Sequence, residues 1–94
     1  MLDDFSCTKF FLGVDGIDVG FGLTTTNMME AQLNKKMIAA AQKTIVLADS
    51  SKFGKRGFGK ICSLESIDQI ITDSGISAHM LETLKGMGVV VTIG

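Results

Sequence analysis

Three aspartates, each placed directly after a short apolar run, are the first candidates for chemistry: Asp15, Asp49 and Asp73. Continuous apolar runs of this length are typical of buried strands in parallel sheets. Ligands of open parallel sheets bind at the carboxyl ends of the strands, so all three carboxylates are expected at one rim. The alternative is that they only cap turns, because Asp-Gly and Asp-Ser pairs are common in turns.

A glycine-rich basic segment follows the second of these runs. It holds four of the nine basic residues of the chain: Lys52, Lys55, Arg56 and Lys60. Ammonium groups and backbone amides both donate to phosphate oxygens, so this segment is a candidate anion site. The alternative interpretation is a solvated surface loop.

Hydroxyl side chains precede a predicted helix start at Asn27. Thr24 and Thr25 lie just before it, where the amino terminus of a helix favours anions and sugar hydroxyls. Asn27 can cap the helix, and Glu30 follows three residues later. Glu30 can therefore either complete a capping box or face a ligand, and both interpretations stay open.

The order of the predicted elements indicates an α/β fold with a mainly parallel, Rossmann-like sheet and flanking helices. Strands are expected over 9–14, 44–48, 60–62, 68–72 and 89–93, helices over 27–43 and 77–87, a single helical turn capped by Ser63 over 63–67, and an irregular loop over 15–26. Helical spacing places Met29, Leu33 and Met37 on the buried side of the first helix. Two helices are too few to cover both faces of the sheet, so a partner or a further part of the same domain is expected to cover the rest.

Composition excludes several classes of function. Nine basic and ten acidic residues give a net charge of −1, which does not resemble a nucleic-acid-binding domain. Cys7, Cys62 and His79 cannot supply a zinc site alone, so free thiols and no metal are expected. No apolar run approaches the roughly 18 residues of a membrane helix, and the acidic start does not resemble a signal peptide. A soluble cytoplasmic protein without membrane contact is therefore expected.

Five ordered strings cover nearly the whole chain and carry a family resemblance: Phe11-Leu-Gly-Val-Asp-Gly-Ile-Asp18, Gly22-Leu-Thr-Thr, Glu30-Ala, Ile45-Val-Leu-Ala-Asp-Ser-Ser-Lys-Phe-Gly54 and Ile71-Thr-Asp-Ser-Gly75. The chain resembles the sensor domain of DeoR-family transcriptional repressors. The resemblance implies a cytoplasmic regulator of a sugar catabolic operon, which releases its operator when a phosphorylated sugar binds. It implies no cofactor, and an open sheet edge makes a homo-oligomer the expected state.

The sensor domain of that family is similar in fold to ribose-5-phosphate isomerase and to related CoA-transferase-like enzymes. Asp15-Gly-Ile-Asp18 resembles the Asp-Gly-Ala-Asp loop of the isomerase, and Ala48-Asp-Ser-Ser-Lys52 resembles its later Ala-Asp-x-Ser-Lys segment. These matches imply that Asp15, Asp18 and Lys52 contact the ligand. The full set of candidate ligand-binding residues is Asp15, Gly16, Asp18, Thr24, Thr25, Glu30, Asp49 and Lys52.

Two departures from the isomerase argue against catalysis. Counted by spacing from Asp49, the position of the general-base glutamate falls on Asn34 and that of the active-site lysine on about Thr25. An amide cannot take a proton from carbon, and a hydroxyl cannot stabilise an enediolate as an ammonium does. The resemblance thus implies binding without turnover. An isomerase fragment and a structural or oligomerisation module remain the alternatives.

The resemblance also implies how the domain is divided. Residues 1–94 correspond to the C-terminal portion of the effector domain. The helix-turn-helix that would contact operator DNA, and the first half of the sensor, are expected outside this chain.

Overall fold

The computed structural model describes residues 7–94 of the chain, with side chains from Lys9 onward. The elements, in chain order, are β1 (Cys7–Gly13), β2 (Gly16–Asp18), β3 (Gly22–Thr25), α1 (Met28–Ala40), β4 (Ala41–Leu47), β5 (Gly59–Cys62), β6 (Gln69–Thr72), α2 (Ala78–Gly86) and β7 (Val90–Ile93). Single 3-10 turns lie at Ser50–Lys52 and Leu64–Ser66.

The larger sheet is parallel and has four strands in the order β1-β4-β6-β7. Its register aligns Leu12 with Val46, Val46 with Ile70, and Ile70 with Val91. These side chains share one face because neighbouring residues of paired strands point to the same side. The predicted α/β fold with a mainly parallel sheet is confirmed.

Both helices cover the same face of this sheet. Leu12, Val46 and Ile70 belong to one buried cluster with Ala31 of α1 and Leu84 of α2. This arrangement agrees with right-handed crossovers, which place successive helices on one side when each new strand is added in the same direction. The hydrophobic core therefore lies between the two helices and one face of the sheet.

The opposite face of the parallel sheet carries exposed apolar side chains. Phe11, Leu47 and Val90 are 54%, 43% and 59% exposed, and only Ile45 at the centre of this face is buried, at 4%. Within residues 7–94, neither helix buries these three side chains. The two helices leave this face open, as their number predicts.

A smaller antiparallel sheet of three strands, in the order β2-β3-β5, was not predicted. It occupies much of the region expected as an irregular loop, so that expectation was wrong. Strands of three and four residues are too short to show a hydrophobic alternation, and glycines interrupt the region. Ile17 and Leu23 are nevertheless fully buried, which joins this sheet to the main core.

Helix α1 begins as predicted and ends earlier than predicted. The Asn27 side chain accepts hydrogen bonds from the amides of Met29 and Glu30, which confirms the cap. The helix ends at Ala40 rather than near Lys43 because Ala41 already has extended backbone angles and starts β4.

The predicted buried side of α1 was wrong for Met29 and Leu33, while Met37 is half-buried. Met29 and Leu33 are 81% and 57% exposed, while Ala31 is buried. Ala31 lies directly against Gly59 of β5, where an added Cβ would sit 3.2 Å from the Ala31 Cβ. The helix therefore approaches β5 through Met28 and Ala31, and this turns Met29 and Leu33 toward solvent.

The second helix follows the prediction closely. Ser77 caps it by accepting a hydrogen bond from the Met80 amide, Leu84 is fully buried, and Gly88 ends it with a φ of +83°. By contrast, the Ser63 side chain makes no capping hydrogen bond to the 3-10 turn that follows it, so that part of the prediction was wrong.

Candidate functional site

The three aspartates that follow strands lie at one rim of the parallel sheet. Strands β1, β4 and β6 are neighbours that run in the same direction, so their carboxyl ends meet at the same edge. The Lys52 ammonium contributes to lowering the pKa of both Asp15 and Asp49, and the charge of Asp73 acts on Asp49 in the opposite sense. Lys52 lies on the 3-10 turn that directly follows Asp49, at the carboxyl end of β4.

Asp15 is the centre of a cluster of hydroxyl groups. Its Oδ2 accepts hydrogen bonds from the Thr26 amide at 3.0 Å, the Thr25 hydroxyl at 3.0 Å and the Thr26 hydroxyl at 3.4 Å. The pKa of the Asp15 carboxyl lies below its ordinary value, first because of the Thr26 amide and then because of the Thr25 hydroxyl. The group is thus held as a carboxylate, which can accept hydrogen bonds and cannot donate them.

Glu30 faces the same hydroxyl. The Thr25 Oγ1 lies 3.4 Å from Glu30 Oε2 and 3.0 Å from Asp15 Oδ2. A hydroxyl has one proton, so it can satisfy only one of the two carboxylates at a time. Of the two interpretations of Glu30, the described contacts favour a side chain that faces the rim, since its carboxylate accepts from Thr25 and, within the described residues, not from the Asn27 amide that a capping box requires. The pair presents acceptor capacity that a polyhydroxyl ligand could use.

Asp49 and Asp73 support turns. Asp49 Oδ1 accepts hydrogen bonds from the amide of Ser51, at 2.9 Å, and from its hydroxyl, while Asp73 accepts from the amides of Ser50 and Gly75 at 3.0 and 2.8 Å. The Ser51 hydroxyl is the main cause of the lowered pKa of Asp49, and the Ser50 amide is the main cause for Asp73. The loop after β4 is therefore tied to the loop after β6.

Asp18 belongs to a separate group of contacts in the small sheet. Its carboxylate accepts from the amides of Gly20 and Phe21 at 2.9 and 2.8 Å and pairs with Arg56 Nε at 3.1 Å. The Phe21 amide is the main cause of its lowered pKa, followed by Arg56. The Arg56 guanidinium lies 4.9 Å from the centroid of the Phe21 ring, and the Lys60 ammonium lies 5.1 Å from it. Asp18 and Asp15 share no hydrogen-bond partner within the described residues.

Thr24 and Gly16 lie beneath the rim. The Thr24 side chain is fully buried, and its hydroxyl accepts from the Gly57 amide at 2.6 Å and donates to the Gly16 carbonyl at 3.4 Å. A Cβ on Gly16 would lie 2.4 Å from the Lys55 carbonyl oxygen. These two residues therefore shape the support of the site, while Thr25, the next residue on β3, faces it.

Two residues at the site were not among the predicted ligand-binding residues, although Arg56 belongs to the predicted basic segment. Thr26 supplies both an amide and a hydroxyl to Asp15, and Arg56 pairs with Asp18. The run of three threonines was the signal for the first. No signal in the sequence identified which of the basic residues would find an aspartate.

Metal and thiol chemistry find little support in the described part of the chain. Residues 7–94 contain no group of three or more His, Cys, Asp or Glu side chains placed to hold a metal ion. Burial raises the pKa of the Cys62 thiol to about 11, which disfavours its thiolate. The side chain of Cys7 lies outside the described residues. No described helix is long and apolar enough to cross a membrane.

Comparison with known families identifies the family of the chain. Residues 1–74 match the family described as the DeoR C terminal sensor domain. The chain belongs to this family. The predicted resemblance is thereby confirmed.

Curated relatives of this DeoR-family chain are transcriptional regulators. It is 44% identical over 92 residues to a protein of Escherichia coli O157:H7 named "Putative aga operon transcriptional repressor", covering 98% of this chain and 34% of the relative. It is 43% identical over 84 residues to the HTH-type transcriptional regulator GlpR of Haloferax volcanii, covering 89% of this chain and 33% of the relative. The chain therefore spans about one third of the length of these relatives.

Proposed function

We propose that this chain is the effector-sensing part of a transcriptional repressor of a sugar catabolic operon, with a phosphorylated sugar as the inducer. The observation that carries the proposal is the rim arrangement in which the carboxylates of Asp15 and Glu30 converge on the Thr25 hydroxyl, with Lys52 on the turn after the neighbouring strand β4. Family membership and the regulators among the relatives support the same proposal.

The rim has the chemistry that a phosphorylated sugar requires. Carboxylates bind sugar hydroxyls by accepting charge-assisted hydrogen bonds, a role for Asp15, Glu30 and Asp49. An ammonium binds a phosphate by donating charge-assisted hydrogen bonds, a role for Lys52. Thr25 completes the acceptor set, and Asp18 fixes Arg56 beside the same loop.

The same residues support binding without turnover. The proposal includes a similarity to ribose-5-phosphate isomerase. That similarity would place an ammonium near Thr25 and a general base near Asn34. Thr25 instead offers a hydroxyl already held by Asp15, and Asn34 has no proton-accepting carboxylate. In this proposal residues 1–94 form the C-terminal portion of the sensor, and a helix-turn-helix outside them contacts operator DNA.

The test measures ligand binding and operator release together. The regulator that carries this chain is titrated with glucosamine 6-phosphate, sorbitol 6-phosphate, deoxyribose 5-phosphate and inorganic phosphate, and both melting temperature and operator affinity are followed. One sugar phosphate is expected to raise the melting temperature and weaken operator binding. If none of the panel changes either quantity, the proposal is wrong.

A pair of lysine variants shows whether the response comes from the rim. Lys52→Met is expected to weaken sugar-phosphate binding by roughly tenfold or more, the scale of a lost charge-assisted hydrogen bond. Lys43→Met is the matched control, because Lys43 is an exposed lysine near the amino end of β4, away from the rim. Equal binding by the two variants would contradict the assignment of Lys52.

One observation favours the isomerase alternative, namely the position of Glu30. Its carboxylate faces the Thr25 hydroxyl one helical turn before Asn34, so it could replace the missing base. Conversion of ribose 5-phosphate by the intact protein, lost in Glu30→Gln, would establish this alternative.

A further inference from the structure

The buried hydroxyl of Thr24 connects two segments that are far apart in the sequence. The first arm, residues 15–18, carries Asp15 and Asp18, and the second arm, residues 52–57, carries Lys52 and Arg56. Thr24 contacts the first arm through the Asp15 amide, which donates to its carbonyl at 2.9 Å, and through the Gly16 carbonyl. It contacts the second arm through the Gly57 amide at 2.6 Å. Its hydroxyl therefore uses its proton on one arm and a lone pair on the other.

A second junction joins the arms at their other ends. The Gly54 amide donates to the Ile17 carbonyl at 2.7 Å, and Ile17 and Phe53 form a parallel β-bridge. The second arm is thus bonded to the first arm near Gly54 and to Thr24 at Gly57. Lys52, which starts the second arm, is not itself bonded to Thr24.

The junction at Thr24 leaves no room for larger residues. A Cβ on Gly57 would lie 2.8 Å from the Thr25 carbonyl oxygen and 3.1 Å from Thr24 Oγ1. A Cβ on Gly16 would lie 2.7 Å from Thr24 Oγ1 as well as against Lys55. Two glycines and one buried threonine therefore allow backbone segments to approach as closely as the hydrogen bonds require.

We infer that Thr24 is a positioning residue, whose hydroxyl holds the two arms together and so fixes the separation of the Asp15 carboxylate and the Lys52 ammonium. The positioning role of Thr24 does not depend on the proposed function. Its consequence, that effector binding requires this separation, rests on the proposed function. Small displacements of positioned groups strongly reduce binding and reactivity in preorganised sites. Thr24 itself has no exposed surface with which to contact the ligand.

The first test needs no ligand. Amide hydrogen exchange is measured in Thr24→Val, which keeps the shape of the side chain and removes the hydroxyl, and in Thr24→Ser, which keeps the hydroxyl. In Thr24→Val, exchange is expected to accelerate at Gly57 and also at Gly54, which is bonded to Ile17 and not to Thr24. In Thr24→Ser, both amides are expected to exchange as in the wild type. Acceleration at Gly57 alone would reduce Thr24 to a local contact and overturn the inference.

The second test measures binding. If one sugar phosphate of the panel above binds the wild type, its affinity is expected to fall roughly tenfold or more in Thr24→Val, within the range that a buried group left without its partner produces, and to recover in Thr24→Ser. Thr72→Val is the matched control, because Thr72 is a buried threonine whose hydroxyl has no hydrogen-bond partner among residues 7–94. Wild-type affinity in Thr24→Val would overturn the inference.

A further variant keeps the test decisive if Thr24→Val does not fold. Gly57→Ala breaks the same junction from the second arm and leaves Thr24 intact, so it is expected to accelerate exchange at Gly54 as well. If no sugar phosphate binds the wild type, the proposed function fails, while the exchange results still decide the role of Thr24. Unchanged exchange at Gly54 in both Thr24→Val and Gly57→Ala would exclude a positioning role.

Discussion

The two sheets of this molecule are held together in different ways. The parallel sheet is stabilised mainly by burial, with Leu12, Val46 and Ile70 in one apolar cluster. It even tolerates a buried hydroxyl, that of Thr72, that has no hydrogen-bond partner in the described part of the chain. In the antiparallel sheet the buried hydroxyls of Thr24 and Thr25 are both hydrogen-bonded. Apolar burial is non-directional, whereas hydrogen bonds fix positions, so the hydrogen-bonded threonines of the small sheet fix the geometry around Asp15 at the rim of the parallel sheet.

The largest expected effect on stability is that of a glycine substitution in the small sheet. Gly22 of the small sheet has a φ of +118°, and a Cβ there would lie 2.3 Å from the Cys62 carbonyl oxygen. Gly22→Ala is therefore expected to lower the free energy of unfolding by about 3 kcal/mol or more, because strain and overlap add. Urea unfolding measures the change.

The matched glycine of the parallel sheet gives the control. Gly13 lies in β1, where an added Cβ would meet nothing within 4 Å. Gly13→Ala is expected to change the free energy of unfolding by no more than about 0.5 kcal/mol. If the two substitutions had similar effects, the contrast between the sheets would not hold.

An intermediate effect is expected from acid. The pKa values of Asp15, Asp18, Asp49 and Asp73 all lie below the ordinary value of 3.8 in the folded protein. Such groups stabilise the fold above pH 3.8, and this contribution is lost as the pH falls through their lowered values. Unfolding free energy should therefore decrease on acidification from pH 5 to pH 3, which chemical denaturation at each pH can measure.

Variants of one ion pair locate part of this acid sensitivity in the small sheet. Asp18→Asn is expected to flatten the pH dependence, since the amide does not titrate. Arg56→Gln should flatten it less, because the Phe21 amide, the larger cause of the lowered pKa of Asp18, remains. A steeper dependence in either variant would show that Asp18 does not contribute in this way.

The smallest effect is expected at Thr72. Replacing an unpaired buried hydroxyl with a methyl group removes a desolvated polar atom, so Thr72→Val is expected to be neutral or stabilising by up to about 1 kcal/mol. Thr24→Val, by contrast, is expected to cost about 1–3 kcal/mol, since it leaves the Gly57 amide without its partner. Thermal unfolding of the two variants compares them directly, and a destabilised Thr72→Val would reveal an undetected partner.

The strands of the parallel sheet and the start of α1 could be predicted because their sequence signals are local. The apolar runs that end at Asp15, Asp49 and Asp73 marked the three strands of the rim, and Asn27 marked the start of α1. The exposed side of α1 could not be predicted, because it depends on the contact between Ala31 and Gly59, a residue that lies far away in the sequence. Helical spacing reveals a stripe of residues but not which partner lies opposite.

The site was predicted as a set of residues and not as an arrangement. Thr24 and Thr25 have the same chemistry in sequence, and only the register of β3 decides that the first is buried beneath the rim and the second faces Asp15. A shift of one residue would exchange these roles, because strand side chains alternate between faces. The pairing of Asp18 with Arg56 likewise required the three-dimensional path of the second arm.

The connectivity of the two sheets has a consequence for the order of folding. Every pairing in the parallel sheet joins residues more than twenty positions apart, as between Gln69 and Val90, whereas Asp18 and Gly22 pair across a short turn. A local turn closes quickly, but distant strands must first lose the conformational entropy of a long loop. We expect the β2–β3 turn to form and dissolve many times before the parallel sheet assembles. The fold is therefore complete only when β1 pairs with β4 and forms the edge of the sheet that bears Asp15.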